Sequence, residues 1–144
     1  MKNKLIIIKL LFFVFLLTDL YANNLEINSS EVKFDKKNSK IIFRGNVKAV
    51  DENNNILKTD EANYSKEKDL LKSIGSTIIE TGENYVFESN NVIFDNINKI
   101  IKSEFPTKII DPDGNIILVN MFNYNSIENL LFSKGEIKLE DKNK

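Results

Sequence analysis

The sequence predicts an all-β fold made of four stacked copies of one strand pair. Shifting the 144-residue chain by 30 places aligns one aromatic and three apolar columns without a gap. Between polar turn clusters the apolar residues recur at every second position, as in β-strands. A fixed period of this length is typical of stacked repeats in which each unit completes its neighbour's core. The columns are Phe34, Tyr64, Phe94 and Tyr124; Ile41, Leu71, Ile101 and Leu131; Ala49, Ile79, Ile109 and Leu139; and Ile27, Leu57, Phe87 and Ile117.

Residues 1–22 have the three parts of a secretory signal peptide. Three lysines among the first nine residues supply positive charge, residues 10–17 form an unbroken apolar run, and Ala22 offers a small residue for cleavage. The alternative is a membrane anchor, but the apolar run is shorter than the roughly 20 residues that a span needs. We therefore expect residues 1–22 to form a signal helix that is removed, and residues 23–144 to form one exported, soluble domain.

From Leu25 onward the chain divides into four units, and each unit holds two alternating stretches. In the first stretch the odd positions from Ile41 to Ala49 are apolar or small, and most positions between them are polar, which predicts a half-buried β-strand. The units are residues 25–54, 55–84, 85–114 and 115–144, and the polar turns between stretches are residues 35–39, 51–55, 65–69, 81–84, 95–99, 111–115 and 125–129.

The second stretch of each unit changes phase partway along. Leu57 and Thr59 share one parity, whereas Ala62 and Tyr64 have the other, and the change recurs in the next two units. A parity change at a fixed place predicts a bulge or corner at which the strand bends between two facing sheets.

Small residues occupy the middle of the first strand, where Ser73, Ser103 and Ser133 precede Gly75, Phe105 and Gly135. They have two interpretations. Glycine in a strand often marks a sharp bend at a sheet corner, but small inward residues can also leave an apolar groove for acyl chains. The groove hypothesis predicts a lining of Ile41, Phe43, Val47, Ala49, Leu71, Ile79, Ile101, Phe105, Ile109, Leu131 and Ile137. For the aromatic column the simplest prediction is a stacked ladder in the core, with tyrosine hydroxyls at its edge.

Composition excludes several function classes. The chain has no His and no Cys, so imidazole or thiolate metal sites, Cys and Ser-His nucleophile systems, and disulfides are absent. Its net charge of -1 is unlike that of a nucleic-acid binder. Asp60 and Glu61 resemble a catalytic carboxylate pair, but the repeat places Asn90 and Asn120 in the column of Asp60, and an amide cannot act as a general acid or base. We predict no enzyme activity and no cofactor.

Basic residues near the first turn suggest an ionic contact instead. The mixed Lys and Glu residues between the strands read as a solvated face, but four basic side chains stand close together in the first unit. Such a group can meet a phosphate at the mouth of a groove. The four are Lys36, Lys37, Lys40 and Arg44.

Several motifs resemble the OstA-like family, whose domain occurs in the periplasmic lipopolysaccharide-transport protein LptA and in the N-terminal region of the outer-membrane protein LptD. The resemblance covers residues 25–144. A strand ending in Gly-Asn-Val, followed by one reading Leu-x-x-Asp-x-Ala-x-Tyr, carries it. The motifs are IIFRGNVKAV (41–50), ILKTDEANYS (56–65), IGSTII (74–79), FESNNVIFD (87–95) and LLFSKGEIKLED (130–141).

The resemblance implies an open, twisted β-jellyroll that shields lipopolysaccharide acyl chains in the periplasm, between the inner and outer membranes. It also implies head-to-tail pairing of edge strands, here residues 25–35 and 130–141, with a second copy or with other jellyroll domains of the same bridge. Two alternatives stay open. One is that the chain forms the N-terminal part of an LptD-type outer-membrane protein; the other is a structural β-repeat protein or adhesin with a solid core and no lipid.

Overall fold

A computed structural model describes residues 25–142, so the predicted signal peptide lies outside the described chain. These residues form 13 strands. They contain no helix of the length and apolar character needed to cross a membrane. The strands are β1 (Glu26–Asn28), β2 (Glu31–Asp35), β3 (Lys40–Val50), β4 (Ile56–Ser65), β5 (Leu70–Glu80), β6 (Val86–Asn90), β7 (Ile93–Asp95), β8 (Ile100–Ser103), β9 (Thr107–Ile110), β10 (Ile116–Val119), β11 (Phe122–Asn125), β12 (Leu130–Ser133) and β13 (Ile137–Glu140).

The sheet is an antiparallel meander of eight bent strands, two for each 30-residue unit. Strands β3, β4 and β5 run unbroken through the bend. Each of the other five bent strands is interrupted there and consists of two short strands: β1 and β2, β6 and β7, β8 and β9, β10 and β11, and β12 and β13. Every bent strand pairs only with its neighbours in the chain. The predicted stack of four strand pairs is therefore confirmed.

The bends line up into a crease that divides the sheet into two half-sheets. The pairing register shifts between Arg44 and Val47 in β3 and between Thr59 and Glu61 in β4, as in a β-bulge. Gly45 has a φ of 73°, in the left-handed region that glycine adopts without a steric penalty. The phase change predicted for the second strand of each unit is confirmed, because burial moves from odd to even positions across the crease in β4, from β6 to β7 and from β10 to β11.

We call the two sides half-sheet A and half-sheet B. Half-sheet A contains β1, β6, β9, β10 and β13 together with the C-terminal halves of β3 and β5 and the N-terminal half of β4. Half-sheet B contains β2, β7, β8, β11 and β12 with the remaining halves of β3, β4 and β5.

The hydrophobic core lies between the half-sheets. The Phe87 ring of half-sheet A is 4.8 Å from the Phe122 ring and 5.6 Å from the Tyr124 ring of half-sheet B, measured between centroids. Full burial of a side chain of this kind stabilises the fold by roughly 1.5–3 kcal/mol. The buried apolar residues are Phe43, Val47, Ala49, Leu57, Ala62, Leu71, Ile79, Phe87, Val92, Phe94, Ile101, Ile109, Val119, Phe122 and Tyr124.

The turns of half-sheet A repeat one hydrogen-bond pattern. The Asp51 carboxylate accepts bonds of 2.9 Å from both the backbone N–H and the side-chain amide of Asn55. Sixty residues later Asp111 accepts the same two bonds, each 2.8 Å, from Asn115. The amide of Asn115 holds the pKa of Asp111 below its ordinary value. These contacts explain why the sequence keeps Asp and Asn four positions apart at these two turns.

Candidate functional site

The structure divides the eleven predicted lining residues between a closed centre and exposed positions. Seven are buried in the core: Phe43, Val47, Ala49, Leu71, Ile79, Ile101 and Ile109. Ile41 and Leu131 are half-buried and pack against that core. Phe105 and Ile137 are exposed, with 42% and 56% of their surface accessible. The set is thus not one continuous lining.

The small residues in the middle of the strands form a layer of buried hydroxyl groups along the crease. Ser73 Oγ accepts a 2.7 Å bond from the Val92 N–H and another 2.7 Å bond from the Thr77 hydroxyl. Ser103 Oγ donates a 2.7 Å bond to the Asn90 carbonyl, and the hydroxyls of Ser89 and Thr107 lie 2.8 Å apart. No buried side-chain polar atom in residues 25–142 lacks a partner. These contacts support the sheet-corner interpretation of the small residues, because their hydroxyls fill the corner.

An ion pair joins the two half-sheets at the rim opposite the crease. Lys99 Nζ lies 2.8 Å from a Glu52 carboxylate oxygen and donates a 3.0 Å bond to Asn96 Oδ1. The Lys99 side chain is 6% exposed, whereas that of Glu52 is 41% exposed. We call this contact the rim ion pair. It links one turn of half-sheet A to one turn of half-sheet B.

The rim ion pair also shows that the half-sheets cross with an offset. Glu52 lies in the turn between the second and third bent strands, and Lys99 lies in the turn between the fifth and sixth. Tyr124 of the seventh bent strand lies near Glu83 and Asp51 of half-sheet A; its pKa is raised by burial and, to a lesser extent, by these carboxylates. Because of the offset, each half-sheet extends beyond the other at one end.

The offset leaves two apolar inner surfaces uncovered, which we call the open ends. Val32 of β2 lies opposite buried Phe43, and Ile137 of β13 lies opposite buried Val119, so both point to the inner side. The exposed inner residues are Val32 (47%) and Phe34 (68%) on half-sheet B, and Ile137 (56%) and Leu139 (70%) on half-sheet A. Within residues 25–142 the outer edges of β1, β2, β12 and β13 have no strand partner.

The aromatic column does not form the predicted ladder throughout. Phe94 and Tyr124 are buried, but the prediction is wrong for Phe34, which lies at an open end where no opposite half-sheet covers it. The hydroxyls of Tyr64 and Tyr124 do reach an edge, where they donate to Asp69 (2.7 Å) and Asn129 (2.9 Å). Burial, followed by the bond to Asp69, raises the pKa of Tyr64 to about 12.

The acidic and basic residues that the sequence singled out do not form one site. Glu61 accepts two hydrogen bonds from Arg44, at 3.1 and 3.3 Å, so its carboxylate is paired with a guanidinium group. Lys37 and Lys40 line a surface depression, but Lys36 does not. In the described chain, no group of three or more Asp and Glu residues is placed to hold a metal ion.

Sequence reasoning missed the open ends and two lysines of the depression, Lys68 and Lys72. A signal for the open ends did exist. Terminal units of a repeat array have only one neighbour, so their inward residues are less covered than those of the inner units. No pattern in the sequence marked Lys68 and Lys72 as part of one surface, because they meet Lys37 and Lys40 only through strand pairing.

Comparison with known proteins identifies the fold. No family model and no curated protein sequence matches the chain. A similar solved structure is that of LptH from Pseudomonas aeruginosa, described as the LptA-homologous periplasmic component of the conserved lipopolysaccharide transport device. The TM-score is 0.69 at 12% sequence identity, over 83% of this chain and 96% of that one. The chain therefore has an LptA-like fold, which confirms the predicted open β-jellyroll.

Proposed function

We propose that this LptA-like jellyroll is a periplasmic transport module that binds lipopolysaccharide and shields its acyl chains on the way to the outer membrane. One observation carries the proposal: the apolar inner surface is exposed at both ends of the molecule. Contiguous exposed apolar surface marks a site of interaction with lipid or protein. Acyl chains need apolar contact and no catalytic group, which fits the residues at these ends.

The two open ends are complementary to each other. Half-sheet B is uncovered at the N-terminal end and half-sheet A at the C-terminal end, so two molecules placed end to end would cover each other's inner surfaces. The free edges of β12 and β13 would pair with β2 and β1 of the next molecule, since antiparallel strand addition satisfies their backbone groups. The partner is a second copy or another jellyroll domain of the same bridge.

The proposal includes export to the periplasm. Residues 1–22 carry the charge, apolar run and small residue of a signal peptide. Cleavage after Ala22 would leave a mature chain that begins two residues before the described structure. N-terminal sequencing of the protein from a periplasmic extract tests this, and a retained leader would contradict it.

Photocrosslinking tests lipid binding. A photoreactive residue at Phe34 samples an open end, one at Leu131 samples the edge of the core, and one at Ile101 samples its centre. The matched control is Lys48, which is exposed on the outer face of β3. We expect labelled lipopolysaccharide to be captured at Phe34 and Leu131 and not at Lys48. Equal capture at all positions, or none, would contradict the proposal and favour a structural repeat protein with a solid core.

A further inference from the structure

A basic depression lies on the outer side of half-sheet B, between the turns at residues 35–39 and 65–69. Its volume is about 540 Å³. Four lysines and one carboxylate, that of Glu67, contribute charge to its lining, and Asn63, Ser39 and Ser65 contribute polar groups. The lysines are Lys37, Lys40, Lys68 and Lys72, and we call this depression the lysine pocket.

The four ammonium groups of the lysine pocket have no ionic partner in the described chain. Other lysines do: Lys58 pairs with Glu80, and Lys108 pairs with Glu88. Four like charges around one concavity raise the local positive potential and favour an anion there. Glu67 is the single acid in the lining and cannot neutralise four cations.

The fold itself does not require lysine at these positions. The repeat places Glu67, Ile97 and Ile127 in the column of Lys37, and Leu70, Ile100 and Leu130 in the column of Lys40. The column of Lys68 continues with Asn98 and Glu128, and that of Lys72 with Lys102 and Phe132. The same strand and turn geometry therefore forms with acidic, amide and apolar residues, so the concentration of lysines in the first two units calls for a reason other than folding.

We propose that the lysine pocket binds the phosphate groups of an anionic ligand. Lysine ammonium groups are mobile point charges that donate strong hydrogen bonds to phosphate oxygens. The shared chemistry is a phosphate monoester or diphosphate, and two sources can present it: the headgroup of a phosphorylated amphiphile, or a soluble phosphate ester.

The neighbouring surface favours the headgroup. Lys40 lies next to Ile41, which is half-buried against the core and pairs with exposed Phe34 of the open end. Tyr64 packs against the core and also lines the lysine pocket. An amphiphile with its acyl chains on the inner side at the open end would extend its headgroup around the rim at the turn of residues 35–39, where Lys37 lies, to place its phosphates in the lysine pocket. This choice of source rests on the proposed function, whereas phosphate binding itself rests on the pocket.

Two matched triple variants of the full exported chain test the assignment. The pocket variant is Lys40→Gln/Lys68→Gln/Lys72→Gln, and the control is Lys48→Gln/Lys102→Gln/Lys134→Gln, which removes the same charge elsewhere. The probes are inorganic pyrophosphate, a bis-phosphorylated lipid A, and the same lipid A without phosphates. We expect the pocket variant alone to bind a phosphorylated probe about tenfold more weakly, with affinity falling as salt is added. Circular dichroism checks that both variants fold.

The outcomes separate the sources and the proposals. Loss of pyrophosphate binding supports a soluble phosphate, and loss confined to phosphorylated lipid A supports a headgroup. Equal weakening in both variants, or no difference between phosphorylated and dephosphorylated probes, overturns the assignment. If the pocket assignment is overturned, capture of dephosphorylated lipid by a photoreactive residue at Phe34 would still support the proposed function. Pyrophosphate binding without any lipid capture would keep the pocket and refute the function.

Discussion

Replacing Ser73 by alanine tests whether the crease is a packed corner or the wall of a cavity. In the structure Ser73 Oγ accepts hydrogen bonds from the Val92 N–H and the Thr77 hydroxyl, and Ser73 is 4% exposed. Ser73→Ala leaves the buried Val92 N–H without that acceptor. A buried unsatisfied donor costs about 1–3 kcal/mol, so we expect the free energy of unfolding to fall by about 2 kcal/mol.

The serine column supplies its own control. Ser133 occupies the equivalent place in the last unit, is only half-buried, and donates one 2.8 Å bond to the Met121 carbonyl. Ser133→Ala should cost no more than about 1 kcal/mol, because a half-exposed carbonyl can bond water instead. Urea unfolding at several protein concentrations measures both variants and removes the effect of assembly. Equal, negligible losses for Ser73 and Ser133 would refute the packed corner and favour a cavity.

Three further predictions concern the rim and the turns. Joining Glu52→Cys to Lys99→Cys with a short bismaleimide fixes the half-sheets together at the rim. Lipid capture by a photoreactive residue at Ile101, in the centre of the core, should then fall severalfold relative to a chain joined through Lys58→Cys and Glu80→Cys within half-sheet A. Equal capture would show that lipid does not enter by separating the rim. Glu52→Ala should lower the free energy of unfolding by about 2 kcal/mol in urea titrations, because it leaves the buried Lys99 ammonium group without its counter-charge. Lys99→Met should lower it by less than about 1 kcal/mol, because it leaves only an exposed carboxylate; similar losses would contradict this. The pKa of Tyr64 is raised to about 12 from an ordinary 10, so the contribution of its neutral hydroxyl to the free energy of unfolding is complete below pH 10 and is lost as the pH rises through 12. Tyr64→Phe should remove this loss of stability between pH 10 and 12 in urea titrations. An unchanged dependence of the free energy of unfolding on pH would exclude Tyr64 as its source.

The strands and their bends were predictable because both are short-range patterns. Alternation reports which side of a strand is buried, and a change of parity reports a bulge, without knowledge of any distant residue. The exposed fraction of residues that share a repeat position cannot be predicted from such short-range patterns. Val47 and Ile137 occupy the same repeat position, yet Val47 is 1% exposed and Ile137 is 56% exposed. Their difference depends on the offset of the half-sheets, which accumulates from the twist of all strands.

Phe105 shows a second limit of the column argument. It stands in the column of Gly45, Gly75 and Gly135, all of which have positive φ, whereas Phe105 does not. Pro106 follows it and cannot donate to the strand ladder, so β8 and β9 separate here and the Phe105 side chain is exposed. The predicted inward position assumed that every unit bends in the same way.

Under the proposed function, the open ends would be shared between lipid and protein partners, and the energies of their apolar contacts bear on how. Burying Val32, Phe34, Ile137 and Leu139, each about half exposed or more, would contribute about 4–7 kcal/mol across one end-to-end contact. Association itself costs about 4–15 kcal/mol, so these apolar contacts alone do not hold two molecules together, and pairing of the edge strands must supply the rest. Acyl chains seated at the junction would extend the apolar contact area of both ends. Lipid would then stabilise the joint between modules through the same residues that bind it, and loss of lipid would weaken that joint.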